Sequence, residues 1–297
     1  MEGKTDLTVI VPAYNEAENL KIILPRLIGF CQDKGWSILI VNDGSKDSTR
    51  EVLATFPKTD RFTVVHHKVN RGYGGALKSG IHACRTEYCI TIDADGQHQF
   101  EDIVRLFDRL KEADADMIVG SRKGQRSATL ARGIGKGIIR LIAKMMMTVP
   151  IHDINSGMKV YRTDLAQKYL YLTPDTMSFS DIITLVFINN RHLVLEEPIK
   201  ITPRLKGKST IGIQTAFQTV MEIINIVTLF SPMKIFLPLS IMSILLTLSW
   251  GIPLIILRKV VSTGTVLGIV SGLIFFLLGL IAEQLALLRR NQSGFTH

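Results

Sequence analysis

With 297 residues, 46% of them hydrophobic, the chain can bury one large core or two modest ones. Its 35 Lys and Arg against 26 Asp and Glu give a net charge of +9, which admits nucleic acid, anionic lipid or phosphorylated substrates and does not choose among them. Cys31, Cys84 and Cys89 have no paired spacing, which argues against a disulfide framework or a zinc site.

The first residues carry neither a basic region nor a long apolar run, so no signal peptide is expected. The first domain is therefore expected on the cytoplasmic side of a membrane. From Leu7 to Gly120, short β-rich runs alternate with amphipathic helical ones, the pattern of a parallel sheet with helices on both faces. The pattern predicts strands over 7–11, 37–41, 62–66, 88–92 and 116–119, with helices over 16–30, 48–56, 74–85 and 101–112. The first strand runs into Val11-Pro-Ala-Tyr-Asn-Glu16, where Pro12 is expected to end the ladder and Asn15 to cap a helix. Tyr14 and Glu16 then stand at the carboxyl edge of the sheet. The second strand ends in Val41-Asn-Asp-Gly-Ser, which puts Asp43 on the same edge, where a carboxylate can accept hydrogen bonds from a ribose or a base N–H.

The segment Asn70-Arg-Gly-Tyr-Gly-Gly-Ala-Leu-Lys-Ser-Gly80 approaches two phosphate-binding motifs and completes neither, because Leu77 stands where each needs a small residue. Its glycines are expected to let a helix start pack close to the nucleotide site, and an NTPase or a dehydrogenase is the weaker alternative.

Next comes Cys89-Ile-Thr-Ile-Asp-Ala-Asp-Gly-Gln-His98, a buried strand running into a charged loop. Ligands of open α/β sheets bind beyond the carboxyl ends of strands, where Asp93, Asp95 and Gln97 stand. Carboxylates at i and i+2 can offer hard oxygens to Mg²⁺ or Mn²⁺ from one side and leave the other for diphosphate. An Asp-x-Asp pair by itself is more often a polar turn; its convergence on one edge with Tyr14, Glu16 and Asp43 argues for a site.

Gly120-Ser-Arg-Lys-Gly-Gln-Arg precedes a helix expected over 131–147, so Arg122 and Arg132 are placed to meet phosphate, with Lys123 and Arg126 on a solvated face. Asp153 to Arg162 reads as a turn and a strand, and a helix capped by Ser180 follows. Asp181 either faces the site or only favours that helix's dipole. An edge strand over 195–203, broken by prolines, leads into Arg204, Lys206, Lys208 and Ser209, either a phosphate-gripping segment or a basic linker beside anionic lipid.

The composition then turns apolar. Residues 211–233 suit a helix in the membrane interface. Residues 234–297 carry two apolar runs, about 235–257 and 264–288, each able to cross a bilayer and together a hairpin. Lys206, Lys208, Lys234, Arg289 and Arg290 outnumber Arg258 and Lys259, which puts both outer ends in the cytoplasm. Gly264, Gly268 and Gly272 repeat every four residues, a hint of helix packing or of a homo-oligomer.

Jointly, Val11-Pro-Ala-Tyr-Asn-Glu16, Asn42-Asp-Gly-Ser, Asp93-Ala-Asp-Gly-Gln-His98, Gly120-Ser-Arg122, Asn155-Ser-Gly157, Glu197-Pro-Ile199 and Arg204-x-x-Gly207-x-Ser209 resemble the family 2 glycosyltransferases of the GT-A fold. Within that family they are similar to the polyprenyl-phosphate sugar synthases related to dolichol-phosphate mannose synthase. The resemblance spans residues 7–210 and implies a GT-A catalytic domain over residues 1–210: an α/β, mostly parallel sheet flanked by helices. It implies an inverting transfer from a nucleotide diphosphate sugar to a polyprenyl phosphate, with Mg²⁺ or Mn²⁺ as cofactor and no nucleic acid partner.

By the same resemblance, Pro12, Ala13, Tyr14, Glu16, Val41, Asp43 and Ala94 hold the nucleoside, and Asp93 the ribose and diphosphate region. Asp95 and Gln97, with Asp93, bind the metal; Arg122, Arg132, Arg204, Lys206, Lys208 and Ser209 meet donor diphosphate or acceptor phosphate. Asn42 replaces a frequent first aspartate, and Thr210 a frequent lysine. The rivals are a transferase with a different acceptor, a membrane-anchored nucleotide-sugar binder without turnover, and a polysaccharide synthase. The last would carry Gln-x-x-Arg-Trp, and the only tryptophans are Trp36 and Trp250.

Overall fold

The computed structural model describes residues 6–57, 59–122, 150–202, 228 and 231–292. The helix expected over 131–147 with Arg132, the cluster Arg204, Lys206, Lys208 and Ser209, and nearly all of the expected interfacial helix lie outside the described residues. The chain divides into two units, residues 1–128 with 149–210 and residues 129–148 with 211–297.

The first unit is built on a seven-stranded sheet in the order β3-β2-β1-β4-β6-β5-β7. Its strands are β1 (Leu7–Ala13), β2 (Ser37–Asn42), β3 (Phe62–His66), β4 (Tyr88–Thr91), β5 (Met117–Ser121), β6 (Lys159–Arg162) and β7 (Val194–Pro198). The helices are α1 (Ala17–Lys34), α2 (Thr49–Ala54), α3 (Tyr73–Ala83), α4 (Phe100–Ala113), α5 (Thr163–Tyr169) and α6 (Phe179–Asn189). Strands β1 to β4 are parallel, as are β5 and β7, while β6 runs antiparallel between β4 and β5. Pro12 does not end the ladder as expected: β1 continues to Ala13, paired with Asn42, because proline at a strand end forfeits only one donor.

One sheet face carries Val9, Val11, Ile38, Ile40, Ile90, Ile118 and Val160 against Leu20, Leu24 and Leu27 of α1 and Ile103, Leu106 and Phe107 of α4. Near-continuous apolar strands with a helical layer on each face are what a mostly parallel sheet requires. On the other face α3 lies against β1 and β2. A Cβ at Gly80 would collide with Ile10, so only glycine lets this helix come so near the sheet.

The glycine-rich start of α3 packs against a neighbouring loop. Gly72 and Gly74 bring its first turn against the backbone of residues 174–176, and the Gly75 N–H donates to Asp175 O at 3.2 Å.

The second unit contributes α7 (Met233–Arg258) and α8 (Thr263–Gln292). Met233–Leu257 and Thr263–Leu288 are long and apolar enough to cross a bilayer. The glycine stripe serves the packing of these two helices on each other. Gly268 faces Thr247 and Gly272 faces Ile244, while Ser240 Oγ donates to Gly272 O at 2.7 Å and Ser243 Oγ to Gly268 O at 3.1 Å. Within a single chain, therefore, the small residues already have the close partner that their spacing suggested.

Candidate functional site

The loops leaving β1 and β2 are tied together mainly through backbone groups. Asn15 N–H donates to Ser45 Oγ at 3.0 Å, Lys46 N–H to Asn15 Oδ1 at 2.8 Å, and Glu16 N–H to Thr49 Oγ1 at 3.0 Å. Asn15 was expected to cap α1, but Glu16 takes the cap position while Asn15 adopts a left-handed φ of 56° that turns the chain. Pro12, Ala13 and Val41 are buried strand ends, and Tyr14 is exposed beside them.

Asp43, 2% exposed, is heavily used by the protein itself. Its Oδ1 accepts from His67 Nδ1 at 2.6 Å and Arg71 N–H at 2.8 Å, and its Oδ2 from Gly72 N–H at 2.9 Å. It thus fixes the loop that opens α3. Asn42, at the position of a frequent aspartate, donates to His66 Nδ1 at 3.2 Å and accepts from Ser45 N–H at 3.1 Å.

The charged half of the edge lies at the ends of β4, β5 and β6. Asp93 Oδ1 accepts from the Tyr73 hydroxyl at 2.9 Å, and Oδ2 faces His98 Nε2 at 3.4 Å. A Cβ at Gly157 would stand 2.8 Å from Asp93 Oδ2, so the glycine of Asn155-Ser-Gly157 makes room for this carboxylate. Burial alone would push the Asp93 carboxyl up, but the His98 hydrogen bond and charge, the Tyr73 hydroxyl and the Arg122 charge together hold it below its usual range.

Asp95 is 7% exposed and accepts the Gln97 N–H at 3.1 Å; Ala94 between the two aspartates is buried. The Gln97 amide donates to Thr202 O at 3.2 Å, and His98 bridges to Ile201, so the segment after β7 is laced to the loop after β4.

Arg122, expected to meet phosphate, is gripped by a partner that sequence reasoning did not supply. Its Nε donates to Asp153 Oδ2 at 2.6 Å and Nη2 to Asp153 Oδ1 at 2.7 Å, the two-pronged geometry that favours arginine. Nη2 also reaches Asn155 Oδ1 at 2.8 Å, and Nη1 stands outside this set. Asp153 is itself positioned by Glu196, which accepts the His152 and Asp153 N–H groups. Burial works against the Arg122 charge, but Asp153 and the charges of Asp93 and Asp181 more than offset it and raise its pKa.

The second residue that the sequence did not announce is Lys159, fully buried on β6 opposite Thr91 and Val119. Its Nζ donates to Ile154 O at 2.8 Å and also to Ser180 O. Burial drives its pKa down to about 7, against the attraction of Asp181, Asp153 and Asp93. The available signal was a lysine inside Met158-Lys-Val-Tyr161, at a strand position whose neighbours all read as buried. Ser180, expected to cap α6, lies inside its first turn; Ser178 holds the cap position, and Asp181 is 5% exposed.

Among the described residues, no three His, Cys, Asp or Glu side chains converge as a ready metal cage. The donors still fit a hard divalent cation of the Mg²⁺ kind, which takes one or two carboxylates and completes its shell with water and substrate phosphate. Asp93, 35% exposed and with its charged form favoured, Asp95 and the carbonyl oxygen of Gln97 are the residues that would hold it.

A model of glycosyl transferase family 2 matches residues 8–170, and a model of the GtrB C-terminal hairpin matches residues 231–288. The chain belongs to glycosyl transferase family 2. It is 33% identical over 212 residues to polyprenol monophosphomannose synthase of Mycolicibacterium smegmatis, covering 68% of this chain and 79% of that one. It is 31% identical over 181 residues to dolichyl-phosphate beta-glucosyltransferase of Dictyostelium discoideum, where the match covers 54% of this chain and 55% of the relative. Glucosyl-3-phosphoglycerate synthase from Mycobacterium tuberculosis, solved with Mn²⁺, UDP-glucose and phosphoglyceric acid, shares the fold. Its TM-score is 0.58 at 14% identity, over 76% of this chain and 79% of that one. The family 2 assignment, the seven-stranded GT-A-like sheet and the pair of apolar helices therefore agree with what the motifs implied.

Proposed function

We propose that the protein moves a hexose from a nucleotide diphosphate sugar to a polyprenyl phosphate at the cytoplasmic face of a membrane, with inversion at the anomeric carbon. The observation that carries this reading is the presence, in one family 2 chain, of the Asp93 and Arg122 centre and of a hairpin with two helices able to cross a bilayer. A soluble acceptor would give such a hairpin nothing to do, whereas a polyprenyl chain presents its phosphate at the membrane interface. Relatives named for polyprenol and dolichyl-phosphate products support the same acceptor class.

The arrangement suits this chemistry. A lipid phosphate is already anionic at neutral pH, so no side chain has to remove a proton from the nucleophile. What the protein must do is hold two anionic substrates in line and offset the charge of the departing nucleoside diphosphate. Tyr14, Glu16 and the loop fixed by Asp43 form the nucleoside edge, while Asp93, Asp95 and Gln97 take the diphosphate with its cation. A divalent cation bound there supplies charge neutralisation for the leaving group. Arg122, kept in one orientation by Asp153, turns Nη1 to a phosphate oxygen. Arg132, Arg204, Lys206, Lys208 and Ser209 complete the anion site in this reading.

The two relatives are named for different sugars, mannose and glucose, so the test surveys donors. The full chain in detergent is given a short polyprenyl phosphate, a panel of GDP- and UDP-sugars, and Mg²⁺ or Mn²⁺. Glycolipid formed from one donor, inverted, lost on chelation and lost in Asp95→Ala, is the expected result. Donor binding without product from any sugar overturns the reading in favour of a silent binder or another acceptor.

A further inference from the structure

Lys159 is a fully buried cation for which the transferase reading has no use. Burying an ammonium is costly unless hydrogen bonds and opposite charge offset it, so its retention there calls for a cause. Two carbonyls and three carboxylates provide the compensation. The carbonyls belong to different segments: Ile154 O lies between Asp153 and Asn155, the two residues that grip Arg122, and Ser180 O lies in the first turn of α6, beside Asp181.

Because β6 runs antiparallel to β4, its first residue stands at the carboxyl edge, paired with Thr91, whose hydroxyl donates to Gly157 O at 2.7 Å. One ammonium thus spans the loop that orients Arg122 and makes room for Asp93, and the helix start on the far side of the centre. The groups facing it are Asp181 on α6, Asp153 on the loop after β5, Asp93 after β4, and Arg122 after β5. Tyr73 of α3, which donates to Asp93, and Tyr161 on β6 are the neighbouring phenols.

We infer that Lys159 is a positioning residue of this centre: its buried ammonium clamps residues 153–157 to the start of α6, so holding Arg122 in its phosphate-facing orientation, and places positive charge beneath the anion site. Leaving Asp95 to the cation, the charges that act on one another here are Asp93, Asp153 and Asp181 against Arg122 and Lys159. Without the lysine charge the carboxylates outnumber the cations three to one, and an incoming phosphate is repelled. The inference rests on the transferase reading for its kinetic consequence alone; the clamp itself is testable without turnover.

The experiment compares the full-length wild type with Lys159→Met, which keeps the length without the charge, and with Lys159→Arg. In Lys159→Met, kcat/KM for the polyprenyl phosphate is expected to fall by about ten- to a hundredfold, the scale of a misplaced binding group. Hydrogen exchange should quicken at residues 153–158 and 179–184 and stay unchanged in β1 and β2. Wild-type kcat/KM should decline from pH 7 to 9, and in Lys159→Arg that decline should move to higher pH.

Unchanged kcat/KM and unchanged exchange in Lys159→Met overturn the inference. If the methionine variant does not fold, the wild-type profile decides, and a flat kcat/KM from pH 7 to 9 overturns it. If the wild type makes no glycolipid from any donor, the transferase reading falls. The exchange data then judge the clamp alone: faster exchange at both segments supports it, and unchanged exchange overturns it.

Discussion

The two halves of the sheet's carboxyl edge are built by different means. On the β1–β2 side, carboxylates are taken up by the loops: Asp47 accepts from the Ala17 N–H and from the Thr49 N–H and hydroxyl, and the buried Asp43 serves two N–H groups and a histidine. On the β4–β6–β5 side, Asp93, Asp153, Asp181, Arg122 and Lys159 act on one another as charges of both signs. In the proposed reading the first half takes the nucleoside, recognised by shape and hydrogen bonds, and needs rigidity, while the second takes the phosphates. Phosphates are held by charge, so the second half must concentrate charge and then hold it still. The prediction is that damage to the second half costs catalysis, while damage to the first costs stability and donor fit.

The largest effect is expected at Asp93. In Asp93→Asn the group proposed to meet the cation, which accepts from Tyr73 and faces His98, loses its charge while keeping its shape. A fall in kcat of about a thousandfold, roughly 4 kcal/mol, is expected from losing one electrostatic element of such a centre. Folding should be preserved, as circular dichroism would show. A kcat within tenfold of wild type would mean that the two halves do not divide labour in this way.

Next is Asp153→Ala, which strips Arg122 of both its prongs and leaves its guanidinium half-buried. Removing one partner of a buried pair costs about 3 kcal/mol. That is a cost in stability; the displaced Arg122 guanidinium should separately lower kcat/KM for the lipid phosphate by about a hundredfold. If the nucleotide-sugar KM changes as much as the lipid KM, Arg122 serves the donor diphosphate and the division within the charged half must be redrawn.

On the quieter half, Gly74→Ala sets a methyl against the carbonyls of Pro174 and Thr176, which cannot move without shifting the loop that leads to α6. Overpacking of this kind costs about 2 kcal/mol, more than the gain in helix propensity. A lowered melting temperature with kcat kept within a few-fold is expected. A stabilised variant would show that the close approach of α3 is not needed.

How far the sequence discloses these two halves follows from the range of the interactions. Strands β1 to β5 and their helices were legible because hydrophobic period and turn residues are local, and Phe62–His66 falls on the boundaries that its β-branched run marks. The four-residue β6 was legible as a strand following a turn, but not its antiparallel insertion between β4 and β5, since nothing local in Lys-Val-Tyr-Arg specifies its neighbours. Helix α5, just beyond it, went unread, with Thr163 and Asp164 opening a stretch short enough to pass for a turn.

In the candidate site, Asp93, Asp95 and Arg122 were visible because they stand where strands end. Asp153, the partner of Arg122, lies 31 residues away, and Lys159 looks like any surface cation until the strand order is known. Sequence reasoning thus located charges at strand ends and missed those whose purpose is to hold other charges.

The smallest expected effect tests that last class of residue through pH. The Lys159 ammonium has a pKa of about 7 in the folded chain, while an exposed lysine titrates near 10.4. Below about pH 6 both states bind the proton, so this residue adds no pH dependence there. Between about 7 and 10 the unfolded chain binds one proton more, so stability rises with pH, by up to about 1.4 kcal/mol per unit. Asp93 acts elsewhere: its depressed pKa contributes stability above the usual carboxylate range that is lost as pH falls below it.

The difference in melting temperature between wild type and Lys159→Met should therefore shift in favour of wild type by a few degrees from pH 6 to 8, and stay level below about pH 6. Over the same interval the proposed clamp loses its charge but keeps two N–H donors for its two carbonyls. Wild-type protein should then grow more stable as it grows less active, a divergence that a purely structural lysine would not produce.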